Sequence, residues 1–441
     1  MRRPVLALLL GCLLFVAGAS ALDGYDYYQT IEYAGCDQSV YQQDIVIHRS
    51  TGTAYNETAG GLEIWHIFVG DHCQADYDDV RFTNSTGAEL AYYLWPDHDA
   101  ESARFAVRLE GADAAGALSV WYGNPTATTT SDGTNTYHLF DHFDGAANAA
   151  PNPDIWEVVK KGSSSATVKL DGSGNLLLAG ASKTISSGNA WAKPLLSRNV
   201  IIEYRDKISS REYPNTCYGK GGVSGVFDAS SNTWWHTGLY SAYAAWVQDG
   251  TLATSCAIRR TNPATEGSTE ILATATSAFY PSLNTFYTHR FEVQSANLKF
   301  YRDDVLIASG SDTAYSGDDF RLLFSQGEHS TGLGGTRTID YVLIRAYSAA
   351  PPAALTFSGE LVVLQPFPFP GCSNGPTDPD ADGLYEDING NARWDFQDII
   401  LFFQHLAWCE ANQPVSLFDW NSNGRCDFDD VFRLWSNGGM I

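Results

Sequence analysis

The sequence predicts a mostly β protein, in which two consecutive β-sandwich (jelly-roll-like) domains precede a small α-helical domain. Short runs of apolar and β-branched residues recur between residues 22 and 347, and turns rich in Gly, Asn, Asp and Ser separate them. A Pro-rich stretch, 348–377, then interrupts this pattern. After it, one acidic loop pattern occurs twice, and each copy leads into apolar residues at helical spacing.

Composition and charge narrow the class of protein. The chain has 441 residues, of which 44% are hydrophobic. That supply of apolar residues is ample for buried cores and excludes global disorder. Because 51 Asp and Glu outnumber 27 Lys and Arg, the net charge is -24. Such a chain repels phosphate groups, which argues against binding to nucleic acid or to an anionic membrane. It suits an exported protein or one that binds cations.

The N-terminus has the pattern of a secretory signal peptide over residues 1–21. Arg2 and Arg3 precede an apolar run, 5–17, and Ala19-Ser20-Ala21 supplies a cleavage site of small residues. Leu9-Leu10-Gly11-Cys12 is the alternative, a lipoprotein box, although the apolar run continues past it. We therefore expect a secreted, cell-surface-associated protein, with no transmembrane segment in the mature chain.

The first domain, 22–138, is predicted as a β-sandwich from strand-like segments such as 43–48 and 117–122. Two stretches, "DDVRFTNSTGAELAYYLW" (78–95) and "LSVWYGNPTATTTSDGTNTYHLFDHFDG" (118–145), resemble signature stretches of a family of exported proteins known as domain of unknown function 2341. The resemblance implies a fold but no chemistry, since the function of that family is unknown.

The second domain, 139–347, shows the same strand pattern over about 200 residues. Its last part, the hairpin 286–309 and the closing strand 336–347, resembles concanavalin-A-like and laminin-G-like lectin domains. That resemblance implies a two-sheet sandwich with a capacity for carbohydrate binding. Residues 348–377 are interpreted as a semi-rigid linker, in which Leu361–Leu364 adds a short strand to the preceding domain.

The sequence predicts no catalytic centre. A glycosidase needs two carboxylates that flank the scissile bond, and related glucanases carry them as E-x-D-x-x-E on one strand. No such run occurs here, nor does a G-x-S-x-G or H-E-x-x-H motif. The glutamates of the second domain stand alone in sequence: Glu203, Glu266, Glu270, Glu292 and Glu328.

Aromatic residues concentrate in 230–250, where exposed rings would stack on sugars. The proposed ligand platform consists of Trp234, Trp235, Tyr240 and Trp246. The alternative is that these rings fill the core. Trp234 and Trp235 are adjacent, so on a strand they point to opposite sides and only one of them can be buried.

The strongest motif lies in the last domain, 378–441. Calcium loops of the EF-hand type place oxygen ligands at positions 1, 3, 5, 7, 9 and 12 of a twelve-residue loop. The first loop supplies Asp387, Asn389, Asn391, the Arg393 carbonyl, Asp395 and Asp398. The second supplies Asp419, Asn421, Asn423, the Arg425 carbonyl, Asp427 and Asp430. We therefore predict two Ca²⁺ sites, each followed by a helix, with Phe403, Leu406 and Trp435 packing between the helices.

A duplicated loop and helix without an entering helix resembles a dockerin, whose position 12 is typically Asp, as here. The resemblance implies a cohesin-like or other cell-surface scaffold protein as the partner. Two departures matter. Position 6, normally Gly, is Ala392 in the first loop, which weakens the turn there. Positions 10 and 11, Phe396-Gln397 and Phe428-Asp429, differ from the small or hydroxyl residues of cellulosomal dockerins.

Two further sites are predicted. Asp378, Asp380 and Asp382 begin an overlapping D-x-D-x-D-G loop, which is either a third Ca²⁺ site or a group of solvated linker carboxylates. Export permits disulfides, and neighbourhood in sequence pairs Cys36 with Cys73 and Cys217 with Cys256.

These observations favour an exported, non-catalytic binding protein. Its β-sandwiches would recognise a polysaccharide, a glycoprotein or another surface ligand, and its C-terminal domain would attach it to a scaffold in a calcium-dependent manner. The alternatives are a polysaccharide-degrading component of a cellulosome-like complex and a structural protein of the cell envelope.

Overall fold

The structure is a computed structural model. It describes residues 22, 24–181, 186–196, 198–208, 222–228, 242–247, 256–261, 269–274, 282, 284–294, 296–313, 320–328, 336–363, 366–380 and 382–437. The predicted signal peptide and its lipoprotein alternative lie outside these residues. Within them, no helix is both long and apolar enough to cross a membrane.

The chain forms two β-sandwiches and then a small helical unit, as predicted. The strands of the first sandwich are β1 (Tyr27–Tyr33), β2 (Val40–His48), β3 (Tyr55–Ala59), β4 (Leu62–Phe68), β5 (Arg81–Asn84), β6 (Tyr92–Leu94), β7 (Ser102–Glu110) and β8 (Gly116–Tyr122). A short helix, α1 (Gly133–Thr136), follows them.

The second sandwich contains the strands β9 (Leu139–Asp141), β10 (Trp156–Lys161), β11 (Thr167–Leu170), β12 (Leu176–Ala179), β13 (Ser186–Ala192), β14 (Val200–Ile208), β15 (Gly222–Asp228), β16 (Ala242–Val247), β17 (Cys256–Thr261), β18 (Thr269–Thr274), β19 (Tyr287–Val293), β20 (Asn297–Arg302), β21 (Val305–Ser311), β22 (Phe320–Glu328) and β23 (Thr336–Ala346). The last elements are β24 (Ala354–Phe357), β25 (Leu361–Val362), α2 (Phe396–Gln404), α3 (Leu406–Asn412), a 3-10 turn (Val415–Leu417) and α4 (Phe428–Asn437).

Each sandwich has two sheets around one apolar core. In the first, the sheet order is β24-β1-β8-β5, with β25 also beside β1, and the facing sheet is β3-β4-β2-β7-β6. In the second, the described strands form one sheet of order β10-β13-β22-β15-β16-β17-β18 and another of order β11-β12-β23-β14-β19-β20-β21, with β9 beside β23. Alternation along the strands fills both cores with Ile, Val, Leu and aromatic residues.

The segment 348–377 is not a linker throughout, which corrects the sequence interpretation. β24 and β25 both pair with β1, so they extend the first sandwich. They do not extend the second sandwich, which directly precedes them in the chain. Further along, the Phe369 side chain is fully buried in the core of the helical unit. The Pro residues do not prevent this, because Pro351 and Pro352 precede β24 and leave its ladder N–H groups free to pair.

Buried charges join the two sandwiches. The Asp44 carboxylate, on β2, is fully buried and pairs with Arg104 of β7 at 3.1 Å and with Arg345 of β23 at 2.7 Å. Burial by itself would raise the pKa of Asp44, but Arg104 and Arg345 together lower it. A second contact lies at the turn between β3 and β4, where Arg290 donates to the Gly60 carbonyl.

Candidate functional site

The two predicted loops of the helical unit share one hydrogen-bonding pattern. The carboxylate at position 1 accepts the N–H groups of positions 5 and 6, and the carboxylate at position 12 accepts those of positions 3 and 9. In the first loop, Asp387 accepts from Asn391 (3.1 Å) and Ala392 (2.8 Å), and Asp398 accepts from Asn389 (3.1 Å) and Asp395 (2.9 Å). In the second, Asp419 accepts from Asn423 (3.0 Å) and Gly424 (2.6 Å), and Asp430 accepts from Asn421 (3.1 Å) and Asp427 (2.8 Å).

Each loop runs directly into a helix, because its position 9 caps that helix. The Asp395 carboxylate accepts the N–H of Gln397 at 2.8 Å. The Asp398 carboxylate accepts the N–H of Asp395, which completes a capping box. In the second loop, Asp427 accepts the N–H of Asp429 at 2.9 Å. The same residues therefore orient the loop and start the helix.

The residues present fit a hard divalent cation. Asp398 and Asp430 are fully buried, and burial raises the pKa of both carboxyls, with nearby Asp side chains adding to the rise. Both amide atoms of the Asn421 side chain are buried without a hydrogen-bond partner among the described residues. A cation would give the Asn421 oxygen a partner and offset the repulsion among the carboxylates. Calcium would be held by the predicted side chains together with the Arg393 or Arg425 carbonyl.

Position 6 differs between the loops in the way the sequence indicates. Ala392 has φ of 64°, and Gly424 has φ of 81°. Both lie in the left-handed region, which an L-residue with a Cβ adopts at a cost that Gly avoids. The first loop therefore contains a strained residue at the point where the second has none.

The helices bury one face and expose another apolar face. Ile399 and Phe402 of α2 pack with Val431 and Leu434 of α4 in the core of the unit. The exposed apolar residues follow the same i, i+4, i+7 spacing in both helices, and we call them the apolar stripe: Phe396, Ile400 and Phe403 on α2, and Phe428, Phe432 and Trp435 on α4. The Phe403 and Phe428 rings, 5.9 Å apart, connect the two halves of the stripe.

The prediction that Phe403 and Trp435 pack between the helices is therefore wrong. Their side chains are 54% and 51% exposed, while Leu406 is partly buried. One residue of an α-helix turns about 100°, so Phe403 points away from the core that its neighbour Phe402 fills.

The third predicted loop has an additional acidic member that the sequence interpretation missed. Asp378 accepts the N–H groups of Asp382 (3.3 Å) and Gly383 (2.8 Å), as position 1 does in the other two loops. Asp378, Asp380 and Asp382 lie together with Glu386. Burial, and beyond it the neighbouring carboxylates, raises the pKa of Glu386 to about 7. Its place at position 9 of this loop was the available sequence signal.

The proposed glycan platform is described only in part. Trp234, Trp235 and Tyr240 lie outside the described residues. Trp246 lies in β16, where its backbone pairs with Val223 of β15.

In the described part of the same sheet, both sides of β22 are buried. On β22, Leu322 and Phe324 belong to the core between the sheets, so Arg321 and Ser325 lie on the opposite side of the strand. The Ser325 hydroxyl donates to the Asn189 side chain at 2.7 Å, and Arg321 pairs with Glu157 at 2.7 Å. Asn189 and Ser325 are 0% and 1% exposed, so their polar groups bond to each other and are not presented to solvent.

A pocket of about 710 Å³ opens on the first sandwich, where the sequence indicated nothing. It lies between residues 51–54 and the strand β24, and its polar lining includes Gln29, His72 and Glu360. His72 and Glu360 are 2.8 Å apart and come from segments 288 residues distant in sequence. No local motif could have predicted a pocket assembled from such distant segments.

The single carboxylates of the second sandwich have structural partners where their side chains are described. Glu203 accepts the Tyr341 hydroxyl at 2.9 Å, and Glu292 lies 3.3 Å from Arg290. Burial raises the pKa of Glu203 and of Glu292. Glu266 and the side chains of Glu270 and Glu328 lie outside the described part of the chain.

The predicted disulfide between Cys36 and Cys73 is wrong, because both thiols are free. Cys36 precedes β2 and Cys73 follows the parallel strand β4, so they lie at opposite ends of one sheet. A disulfide requires Cα atoms within about 7 Å. Cys217 and the Cys256 side chain lie outside the described residues.

Comparison with known families finds a domain described as domain of unknown function (DUF2341) at residues 76–159. Both stretches that carry the resemblance to this family, 78–95 and 118–145, lie within the matched range, so this resemblance is confirmed. The match begins after β4 and ends in β10. A search of curated proteins finds no match to this chain.

Several solved structures are similar to about half of the chain. A putative β-glucanase from Mycobacterium abscessus is 15% identical, with a TM-score of 0.35, over 47% of this chain and 99% of that chain. A β-1,3-glucanase from Mycobacterium marinum is 15% identical, with a TM-score of 0.33, over 48% of this chain and 99% of that chain. An immunostimulatory antigen and pseudo β-1,3-glucanase of Mycobacterium tuberculosis is 14% identical, with a TM-score of 0.34, over 47% and 98%.

Proposed function

We propose that this protein is an exported, non-catalytic binding protein that attaches to a cell-surface scaffold protein through its helical unit when calcium is bound. The observation that carries the proposal is the duplication in that unit. Two loops with one hydrogen-bonding pattern each lead into a helix, and both helices expose an apolar residue triplet at the same spacing. A module with two such halves presents one continuous apolar surface.

Calcium controls that surface in this proposal. The position 12 carboxylates, Asp398 and Asp430, are buried beside the first turns of α2 and α4. Without a cation, the repulsion among the loop carboxylates opposes the arrangement that starts both helices. With calcium bound, the loops hold α2 and α4 in place and the apolar stripe is assembled.

The apolar stripe favours a folded protein as the partner. Large exposed aromatic residues are typical anchors of protein interfaces, where they fill pockets on the partner. Phe396 and Phe428 occupy position 10, which contacts the cohesin in cellulosomal dockerins. They are bulkier than the usual residues there, so the partner would be a scaffold domain with pockets wide enough for Phe.

The β-sandwiches supply ligand recognition in this proposal. The pocket of the first sandwich, with Gln29, His72 and Glu360 in its lining, offers the hydrogen-bonding groups that a polysaccharide or glycoprotein glycan needs. Glu203 and Glu292 are bound to other side chains, which supports a non-catalytic role.

Capture from an envelope extract of the source organism tests the docking proposal. Wild-type protein should retain one scaffold protein in calcium and release it with a chelator, and the captured protein, produced separately, should bind again. Phe403→Asp should abolish this binding while circular dichroism in calcium stays unchanged, because Phe403 is exposed. Ser416→Asp, on an exposed residue outside the stripe, is the matched control. Equal binding by Phe403→Asp and wild type would contradict the proposal.

Titration with a glycan panel tests the proposed ligand recognition by the β-sandwiches. Binding should be measurable by calorimetry, and Glu360→Ala should weaken the binding, because Glu360 lines the pocket. Release of reducing sugars from any polysaccharide by the pure protein would contradict the non-catalytic assignment.

A further inference from the structure

We propose a third calcium site in the helical unit, directly before the first loop, with Asp378, Asp380, Asp382 and Glu386 as its side-chain ligands. It goes beyond the two sites of the proposed function. It also adds Glu386, which does not belong to either of the two complete loops.

The ligand oxygens lie close enough together for one ion. One oxygen from each of the four carboxylates is within 4.8 Å of the other three. Calcium binds oxygen at about 2.3–2.6 Å, so two ligands on opposite sides of the ion are about 4.6–5.2 Å apart. The spacing of the four oxygens is therefore compatible with a single calcium ion.

Glu386 provides the independent reason to expect a cation. It is 5% exposed, and its Oε2 atom is buried without a hydrogen-bond partner among the described residues. A buried carboxylate oxygen that lacks a partner is unfavourable, because burial removes its water and supplies no hydrogen bond in exchange. Its nearest acidic neighbours only add repulsion. A divalent cation at this point would supply the missing partner and compensate the neighbouring charges.

The backbone closes this acidic loop at its base. Thr377 and Asp387 form a bridge, with N–H to carbonyl distances of 3.0 and 3.2 Å in the two directions, and the Thr377 hydroxyl donates to Asp387 at 2.6 Å. The ligands between them are therefore held in one short loop before any ion binds. Position 12 of this loop falls on Asn389, which is already position 3 of the next loop. Glu386, at position 9, instead supplies the fourth carboxylate, on a side chain that is longer than that of Asp.

Counting the calcium ions bound to the full chain tests this site. In native mass spectrometry during a calcium titration, the wild type should reach three ions and Glu386→Gln only two. Glu410→Gln, which makes the same change on the exposed surface of α3, should keep three. A wild type that saturates at two ions, or three ions in Glu386→Gln, would overturn the proposal.

Two further variants separate folding effects from ligand loss. If Glu386→Gln loses helicity and binds fewer than two ions, the exposed variant Asp380→Asn decides: two ions support the site, and three reject it. The double variant Asp387→Ala, Asp419→Ala addresses the other loops. Two wild-type ions that both disappear in this variant would reject the third site and leave the proposed function standing, whereas no bound calcium in the wild type would reject both.

Discussion

At residue 392 the backbone of the first loop is strained, and this strain leads to a prediction. Ala392→Gly should remove the cost of a left-handed Ala, about 1 kcal/mol, and tighten calcium binding at that loop about fivefold. Calorimetric titration of the full chain measures the change. Gly424→Ala makes the opposite change at position 6 of the second loop and is the control. A Cβ there meets no atom within 4 Å, so the substitution changes only the backbone conformational preference. It should weaken the second loop by a similar factor. Unchanged affinity in both variants would contradict the argument.

Two cysteines of the helical unit are positioned to react with each other. The Cys409 and Cys426 thiols are free and buried, and their sulfurs are 2.9 Å apart where α3 contacts the second loop. We expect an oxidised glutathione buffer to convert them to a disulfide, with two thiols giving up two protons and two electrons to the glutathione disulfide. Alkylation under denaturing conditions, followed by peptide mass analysis, should find Cys372 labelled and the other two linked. Full labelling of Cys409 and Cys426 would show that they do not pair.

Residues inside a local motif were predictable, and residues that depend on tertiary packing were not. The loop ligands follow from spacing alone, because a twelve-residue loop fixes which side chains meet. Glu386 is recognised as a candidate ligand from its burial, which the spacing of residues in the sequence does not reveal. The pairing of Cys36 with Cys73 was inferred from proximity in sequence, and the parallel course of β2 and β4 places these residues at opposite ends of a sheet.

At the scale of elements, the two faces of α2 should respond differently to the same substitution. Phe402 is fully buried and Phe403 is 54% exposed. Phe402→Ala should therefore destabilise the helical unit by about 3–5 kcal/mol, and Phe403→Ala should change its stability by no more than about 0.5 kcal/mol. Urea unfolding in saturating calcium, followed by the helical circular dichroism signal, measures both. Equal losses would contradict the assignment of the apolar stripe to the surface.

Strand pairing across long distances was the limit of the sequence prediction at this scale. Several strands of both sandwiches, such as β2, β8 and β23, were expected, because their apolar patterns and turns are local. β24 and β25 are short, and their partner β1 lies more than 300 residues earlier in the chain. The Pro-rich composition around them is that of a linker, so only the tertiary structure assigns them to the first sandwich. The pocket beside His72 and Glu360 was missed for the same reason.

At the scale of the whole molecule, Asp44 couples the sandwiches in a pH-dependent way. Its folded-state pKa is lowered, so its contribution to stability is present above the unfolded value of about 4 and is lost as pH falls through the folded value. Asp44→Asn should therefore destabilise the chain at neutral pH, and the difference from wild type should shrink below about pH 4. Urea unfolding across this range tests it, with the exposed Asp113→Asn as control. A difference that grows in acid would contradict this role.

Hydrogen exchange of the full chain, with calcium or with a chelator, tests the central claim most directly. The account predicts that calcium protects the backbone amides of α2 and α4 strongly, that the strands of the first sandwich exchange at the same rate in both conditions, and that the double variant Asp387→Ala, Asp419→Ala loses the calcium effect. Equal protection of α2 and α4 in calcium and in chelator would contradict a calcium-dependent attachment unit.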